Sequence, residues 1–306
     1  MSAVSDAVRT PARSSMRGVK LREALWGYGF AGLPMAVFGI FFLYPLAYAV
    51  YISFFHWGIL GKDHTHPGAG TFNYAKVIHD PVFHTALKNV AEYTIGVVPL
   101  EMALGLSLAL LINSKIRGRN FFRSAFYFPS IASSVAITTI ALYILNSDGL
   151  FNHIIGSSTP WFTTASTVTW AIVGLNAWTT SGTIMLYYLA GLQAISNDVY
   201  EAAALDNTSA WRTFRKITLP LLKPTHFFVL VVFGVGALKI FDQAFIVSHG
   251  TGGPNYATYT PVLYIYRAAF TSFDFGLAAA AGVVFFVIIF ILTIAQRLTV
   301  GRPEAA

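Results

Sequence analysis

The chain has 306 residues, of which 55% are hydrophobic and only 11% charged, and it contains no cysteine. A soluble domain is about a quarter charged, so this is the composition of a membrane protein. The lack of cysteine excludes disulfides, a thiol nucleophile and thiolate metal ligands, and the net charge of +7 says less than where the charges lie.

Arg9, Arg13, Arg17, Lys20 and Arg22 precede the first apolar run. Charges that come late, with no small-residue cleavage site after a short apolar region, do not make a signal peptide. The first span itself is therefore the expected targeting element. Apolar stretches near 27–54, 87–112, 124–145, 167–190, 226–247 and 276–297 are each long enough to cross a bilayer, which takes roughly 20 helical residues. Backbone groups in lipid must be paired, and these runs are too long for barrel strands. The predicted fold class is all-α: a polytopic membrane protein with six transmembrane helices. Residues 1–25 are read as an N-terminal tail, 26–298 as the membrane domain and 299–306 as a C-terminal tail.

The cations alternate from one connection to the next. Besides the N-terminal tail, Lys115, Arg117, Arg119 and Arg123 occupy the second connection. Arg212, Arg215, Lys216 and Lys223 occupy the fourth, and Arg297 and Arg302 lie at the C-terminal end. The opposite side has only Lys62, Lys76, Lys88 and Arg267. This asymmetry predicts a multi-pass protein of the cell membrane with both termini in the cytoplasm. A basic arm beside a span reads as an orientation signal facing anionic lipid, and no nucleic-acid partner is expected.

The first outer connection contains His64, His66, His79 and His84. His-x-His suits zinc, yet no carboxylates accompany it at ligand spacing, so a solvated loop without a metal site is expected. Glu101 lies within the second span. A carboxylate at membrane depth is a functional candidate by default: it can line a pathway, pair with a cation of a neighbouring subunit, or sit protonated.

In the fourth span Asn176, Thr180 and Thr183 form one helical stripe, with Trp178 and Tyr187 nearby as rings on which a sugar could stack. Helix–helix hydrogen bonding is the plainer role for such residues. In the fifth span Gly236, Ile240 and Gln243 share a face. Lys239 and Asp242, at i and i+3, read as a pair snorkelling to the outer surface.

Residues 196–224, between the fourth and fifth spans, form an unusually long polar connection. A helix is expected from Asp198 to Phe214, capped by Asn197 or Asp198, with Glu201 in the first turn where acidic groups suit the dipole. Ala202, Ala203 and Ala204 would present a smooth, narrow surface, and Leu219-Pro220 is read as the stop. An amphipathic helix resting on headgroups is the bland alternative. Further along, Thr251-Gly252-Gly253-Pro254 is a turn-rich outer loop.

The fourth connection resembles the cytoplasmic loop of permease subunits of binding-protein-dependent ABC importers. Their pattern is Glu-Ala-Ala, three residues, Gly, nine residues, Ile-x-Leu-Pro, matched by Glu201-Ala202-Ala203, Ile217 and Leu219-Pro220 with Asn207 in place of Gly. Asn is the next most tolerant residue after Gly for a left-handed backbone. Asn73-Tyr74, Asp80-Pro81, Phe83, Asn89, Phe241-Asp242, the Thr251–Pro254 run and Tyr264-Ile265-Tyr266-Arg267 are similar to sugar permeases of the maltose/glycerol-phosphate type, whose membrane domain is the type I ABC fold.

The resemblance implies an alternating-access pore half for a sugar or sugar-like solute. A coupling helix between helices 4 and 5, carrying Glu201, Ala202, Ala203, Asp206, Asn207, Leu219 and Pro220, would be gripped by an ATPase. The substrate pathway would comprise Asn176, Thr180, Thr183, Gly236, Ile240 and Gln243, and Thr251, Gly252, Gly253 and Pro254 would meet a solute-binding protein or gate the pore. Implied partners are a second permease subunit, usually a different chain, an ATPase dimer, an extracytoplasmic solute-binding protein and membrane lipid. The chain has no phosphate-binding loop, so no catalytic residue and no cofactor is expected in it; ATP and Mg would belong to the ATPase. A secondary transporter or channel would also explain six spans and Glu101 but not the loop spacing. An intramembrane enzyme lacks a nucleophile–base or metal constellation.

Overall fold

A computed structural model describes residues 13–62, 70–114 and 117–299, and it is almost wholly helical. Arg9, His64, His66, Lys115 and Arg302 lie outside the described residues. The chain divides at Ile52 into two units. In the first, α1 (Arg13–Phe38) starts inside the stretch read as a tail and continues through a π-turn (Gly39–Leu43) into α2 (Tyr44–Ile52). Pro45 has no N–H for the α-helical ladder, and the turn before it widens so that Tyr44 N–H reaches the Gly39 carbonyl. Leu25, Trp26, Phe30 and Phe41 point outward, as lipid-facing side chains should.

The second unit opens with a two-residue ladder of β1 (Trp57–Gly58) on β2 (Gly61–Lys62). Next come α3 (Phe72–His79) and the long α4 (Pro81–Asn113). Asp80 starts α4, accepting the Val82 N–H at 2.8 Å, with Pro81 at the first helical position. The span expected over 124–145 is two helices, α5 (Arg119–Ile131) and α6 (Ser134–Ile144), bent by 92°. Pro129 removes a ladder donor, and Ser130 and Ser134 bond to other helices instead of their own. A short α7 (Leu150–Ile155) leads to α8 (Ala165–Gln193), of 29 residues.

The fourth connection holds α9 (Asn197–Leu205), α10 (Ala210–Thr213), a π-turn (Phe214–Thr218) and α11 (Leu219–Leu221). The fifth span is also interrupted: α12 (Lys223–Leu238) stops, Lys239–Phe241 leave helical geometry, and α13 (Asp242–Val247) resumes. The Thr260 hydroxyl donates to the freed Ile240 carbonyl at 3.1 Å, the kind of repair a break at membrane depth requires. The chain then runs through α14 (Pro261–Phe270) into α15 (Phe275–Thr299).

Arg22–Ile52, Pro81–Asn113, Lys223–Val247 and Phe275–Thr299 are each long and apolar enough to cross a membrane, and the bent α5–α6 pair can supply a fifth crossing. α8 has the length, but its Asn and Thr stripe dilutes its apolar character. α4 and α8 carry the core of this unit. Around them Val97, Val98, Ile172, Val173 and Ala177 form one buried cluster, and Ile112, Ile184, Tyr188, Leu189 and Leu222 another. A Cβ on Gly182 would lie 2.2 Å from the Phe126 carbonyl, so only glycine lets α5 approach α8 this closely.

Candidate functional site

The polar stripe of α8 opens onto two cavities. One, of about 220 Å³, is lined by Tyr93 and Glu101 from α4, Asn176 and Thr180 from α8, and Gly236, Ile240 and Gln243 from the broken fifth span. The other, of about 190 Å³, lies towards the α5–α6 bend and includes Ser130, Ser134, Thr138, Thr179, Thr183 and Gln243. All six residues expected to form a pathway therefore line one or both cavities.

Asn176 is the hub. Its side-chain amide donates to the Tyr93 hydroxyl at 2.5 Å, and the Gln243 amide donates to the Asn176 side-chain oxygen at 2.8 Å. Three helices thus meet in one hydrogen-bonded chain. The break at Lys239–Phe241 matters here, because it turns α13 so that Gln243 points back towards α8. Ser130 inserts its hydroxyl into α8. It donates to the Thr179 carbonyl at 2.5 Å and accepts the Thr183 N–H at 3.2 Å, the two groups that one helical rung would join. Ser134 donates to the Asp242 carboxylate, tying the bend to the start of α13.

That bond corrects the expected Lys239–Asp242 pair. The two residues sit on opposite sides of the helix break, Lys239 is exposed, and among the described residues Asp242 is held by Ser134 instead. Trp178 and Tyr187 are corrected as well. Trp178 lines the apolar hollow at the α5–α6 bend, and Tyr187 packs on Phe228 with ring centroids 5.1 Å apart, so neither faces the polar cavities.

Sequence reasoning missed Tyr93, Ser130, Ser134, Thr138 and Thr179. Tyr93, Val97 and Glu101 repeat at four-residue spacing on one buried face of α4, which was a legible signal for Tyr93. Glu101 itself is only 3% exposed, and its carboxyl has no hydrogen-bond or ion-pair partner among the described residues.

The fourth connection departs from the single helix expected over Asp198–Phe214. Ser196, rather than Asn197 or Asp198, caps α9 by accepting the Asp198 N–H at 3.3 Å. The helix ends at Leu205 because Asn207 takes a left-handed backbone, φ +54°. This is a glycine-type helix stop: Asn207 N–H bonds the Ala204 carbonyl at 3.0 Å, while the Thr208 N–H (3.1 Å) and hydroxyl bond the Ala203 carbonyl. Ala203 is buried (6% exposed), so it belongs to the inner side of α9 and not to the smooth outer surface expected of it. Glu201, Ala202, Asp206 and Leu205, the last 88% exposed, form the outward side with Trp211. Nor do Leu219 and Pro220 end a helix. Pro220 lacks a ladder N–H, and the π-turn over Phe214–Thr218 precedes it; the break comes later, at Leu222.

Around the Thr251–Pro254 loop, motif residues act as clamps. Asn89 donates to the Tyr256 and Tyr259 carbonyls at 2.6 and 3.0 Å, and Tyr264 donates to Asp80 at 2.7 Å. Burial and the adjacent Asp80 carboxylate push the Tyr264 hydroxyl above its ordinary range, which keeps it a neutral donor. Arg267 donates to the Thr251 carbonyl at 3.0 Å, and Thr258 donates to that of Gly253 at 2.9 Å. Gly252, at φ +79°, has the Tyr259 ring 2.0 Å from where a Cβ would be. Thr251–Pro254 is therefore held by Arg267 from α14 and by Thr258 from the loop itself, while Asn89 of α4 fixes the Tyr256–Tyr259 segment that follows. His79 and His84 bond the Ala75 and Ile78 carbonyls at 2.8 and 2.6 Å, and no metal-holding cluster occurs among the described residues.

Comparison with known proteins fits this arrangement. The chain is 30% identical over 293 residues to the lactose transport system permease protein LacF of Rhizobium radiobacter, covering 93% of this chain and 97% of that one. It is 33% identical to the trehalose/maltose transport system permease protein MalF of Thermococcus litoralis, covering 93% and 96%. A chain of the bacterial alginate ABC transporter, crystallised with an alginate pentasaccharide-bound periplasmic protein, shares the fold with a TM-score of 0.77 at 21% identity, over 91% of this chain and 95% of that one. Residues 101–303 match the model of the binding-protein-dependent transport system inner membrane component, and the chain belongs to that family of multi-pass permease subunits.

Proposed function

We propose that this permease subunit forms half of the path by which an ABC importer moves a saccharide inward. The observation that carries this reading is the chain Gln243–Asn176–Tyr93, built from three helices and facing cavities with hydroxyl and amide groups that match a polyol. The names of the relatives point to sugars, and sugar-binding sites typically combine such polar groups with room for a ring.

In this reading both termini and the 196–224 loop face the cytoplasm, in keeping with the alternation of basic residues. Two ATPase subunits there hydrolyse ATP with Mg, grip Glu201, Ala202, Asp206 and Leu205, and move the loop through α9 and the π-turn into α12. Asn207, Leu219 and Pro220 shape that lever, and Ala203 packs it. On the far side the clamped Thr251–Pro254 loop meets an extracytoplasmic solute-binding protein, and a second permease chain closes the path. Lipid surrounds the spans.

The native sequence has no cysteine, so single-cysteine chemistry tests this cleanly. Thr180→Cys in the assembled importer should react with a small thiol reagent, lose uptake on reaction, and be protected by transported sugar. Leu205→Cys should crosslink to an ATPase subunit. A Thr180→Cys importer that transports normally when fully labelled would overturn the pathway assignment.

A further inference from the structure

A separate crevice of about 380 Å³ lies between α4, α12 and α15. It is not part of the polar path: Gly236 and Ile240 of α12 face the Asn176 cavity, whereas Gly234 and Leu238 face this one. Small residues keep it open, with Ala91 of α4, Gly234 of α12 and Ala295 of α15 in its walls. A Cβ on Gly234 would meet only Gln296 Nε2, at an ordinary 3.5 Å, so packing does not demand glycine there. The walls are mostly apolar, with polar groups gathered towards one end. Leu292 stands at one end of the α15 wall, and Gln296 and Thr299 follow over the next two turns, about 10 Å along the axis. Arg297, exposed, lies at that polar end. Neither the Gln296 amide nor the Arg297 guanidinium has a hydrogen-bond or ion-pair partner among the described residues.

We propose that this crevice binds an anionic phospholipid from the leaflet that the C-terminal end of α15 faces. One acyl chain lies along Ala91, Leu238 and Leu292, the ester and glycerol oxygens meet the Gln296 amide, and the phosphate pairs with Arg297. Charge and polarity select this occupant. A saccharide would set its hydroxyls against apolar walls, and an apolar helix of another subunit would leave the Gln296 amide and the Arg297 charge without partners. A phospholipid matches both ends at once: mostly apolar walls with a few convergent polar groups are the pattern of a ligand site, and a cation at the membrane surface favours an anionic head group.

The test uses the complete importer in phosphatidylcholine nanodiscs containing a small share of phosphatidylglycerol with a photoreactive diazirine on one acyl chain. After irradiation, mass spectrometry maps the labelled residues. Phe286 and Phe290, exposed on the other face of α15, report lipid that merely surrounds the protein. Label on Ala91 and Leu238 should exceed label on Phe286 and Phe290 by about fivefold, the attraction of one cation for an anionic head group. Arg297→Gln should remove that excess and Arg297→Lys should keep it. Ala295→Trp, which fills the crevice, should abolish label on Ala91 and Leu238 and leave Phe286 and Phe290 unchanged.

Equal labelling of the two faces in the wild type, or an excess that survives Arg297→Gln or Ala295→Trp, overturns the proposal, because the lipid is then unselected or seated elsewhere. A crevice that stays unlabelled while Phe286 and Phe290 react overturns it as well, and shows that another protein segment covers this face.

Discussion

Asn176→Ala is the most informative single change, because it removes the hub that joins three helices and leaves every helix cap in place. It deletes two side-chain hydrogen bonds, to Tyr93 at 2.5 Å and from Gln243 at 2.8 Å. A net hydrogen bond contributes about 1 kcal/mol in water-soluble proteins, and cycles within membrane bundles average about 0.6. The loss in stability is therefore about 1–2 kcal/mol, since the cavity already admits water to satisfy the groups left behind. A double-mutant cycle with Tyr93→Phe, read by thermal unfolding in detergent, should return about 0.5–1 kcal/mol of coupling. Transport should suffer more than stability: uptake at limiting solute should fall by at least about ten-fold, because Gln243 and Tyr93 lose the group that orients them. Uptake within twofold of wild type, together with coupling below about 0.3 kcal/mol, would show that the network neither holds the helices nor meets the solute.

Other changes probe the frame. Asn207→Gly should strengthen the α9 stop by about 0.5–1 kcal/mol, since Asn207 already holds a left-handed backbone, whereas Asn207→Val should cost about 1–2 kcal/mol; limited proteolysis of the loop reads both. Ala203→Asp buries a carboxylate against the loop and should open it to protease, while Leu205→Glu on the exposed side should leave proteolysis unchanged and weaken ATPase co-purification. Gly182→Val places a side chain against the Phe126 carbonyl and should abolish folded yield in size-exclusion chromatography, with Gly174→Val, where a Cβ meets nothing within 4 Å, as the tolerated control.

Much of this was written in local pattern. Apolar length located four of the six expected spans outright, while the fourth, α8, has the length without the apolarity and the third is a bent pair. The stripe Asn176, Thr180, Thr183 needed only the 3.6-residue period to place it on one face, and Asn207 advertised its left-handed backbone by standing where the loop pattern it resembles has glycine. The bends were harder to see. Pro129 was visible, but whether a proline kinks a helix by a few degrees or by 92° depends on what the side chains around it bond. The acceptors of the Ser130 and Ser134 hydroxyls, Thr179 and Asp242, lie far away in sequence. For the same reason Lys239 and Asp242 looked like a helical pair, because the i, i+3 rule holds only while the helix continues. Ala203 was misassigned to the outer surface because three consecutive alanines look alike, and only the packing of α9 against the rest of the loop distinguishes them.

The two helix breaks have a common logic. Irregular backbone inside a membrane is tolerated only where other protein groups or a water-filled cavity satisfy it. Here the α5–α6 bend and the Lys239–Phe241 break both border the polar cavities and are joined by the Ser134–Asp242 bond. A straight helix at either place would carry its polar groups along its own axis and leave the cavity lined by apolar side chains. The broken ones turn Gln243 towards Asn176 and Ser130 towards Thr179. Each break is also a place where a few dihedral changes swing one rigid half against the other. The polar lining and the capacity to move thus come from the same few residues. A substitution that straightens either bend should remove both together.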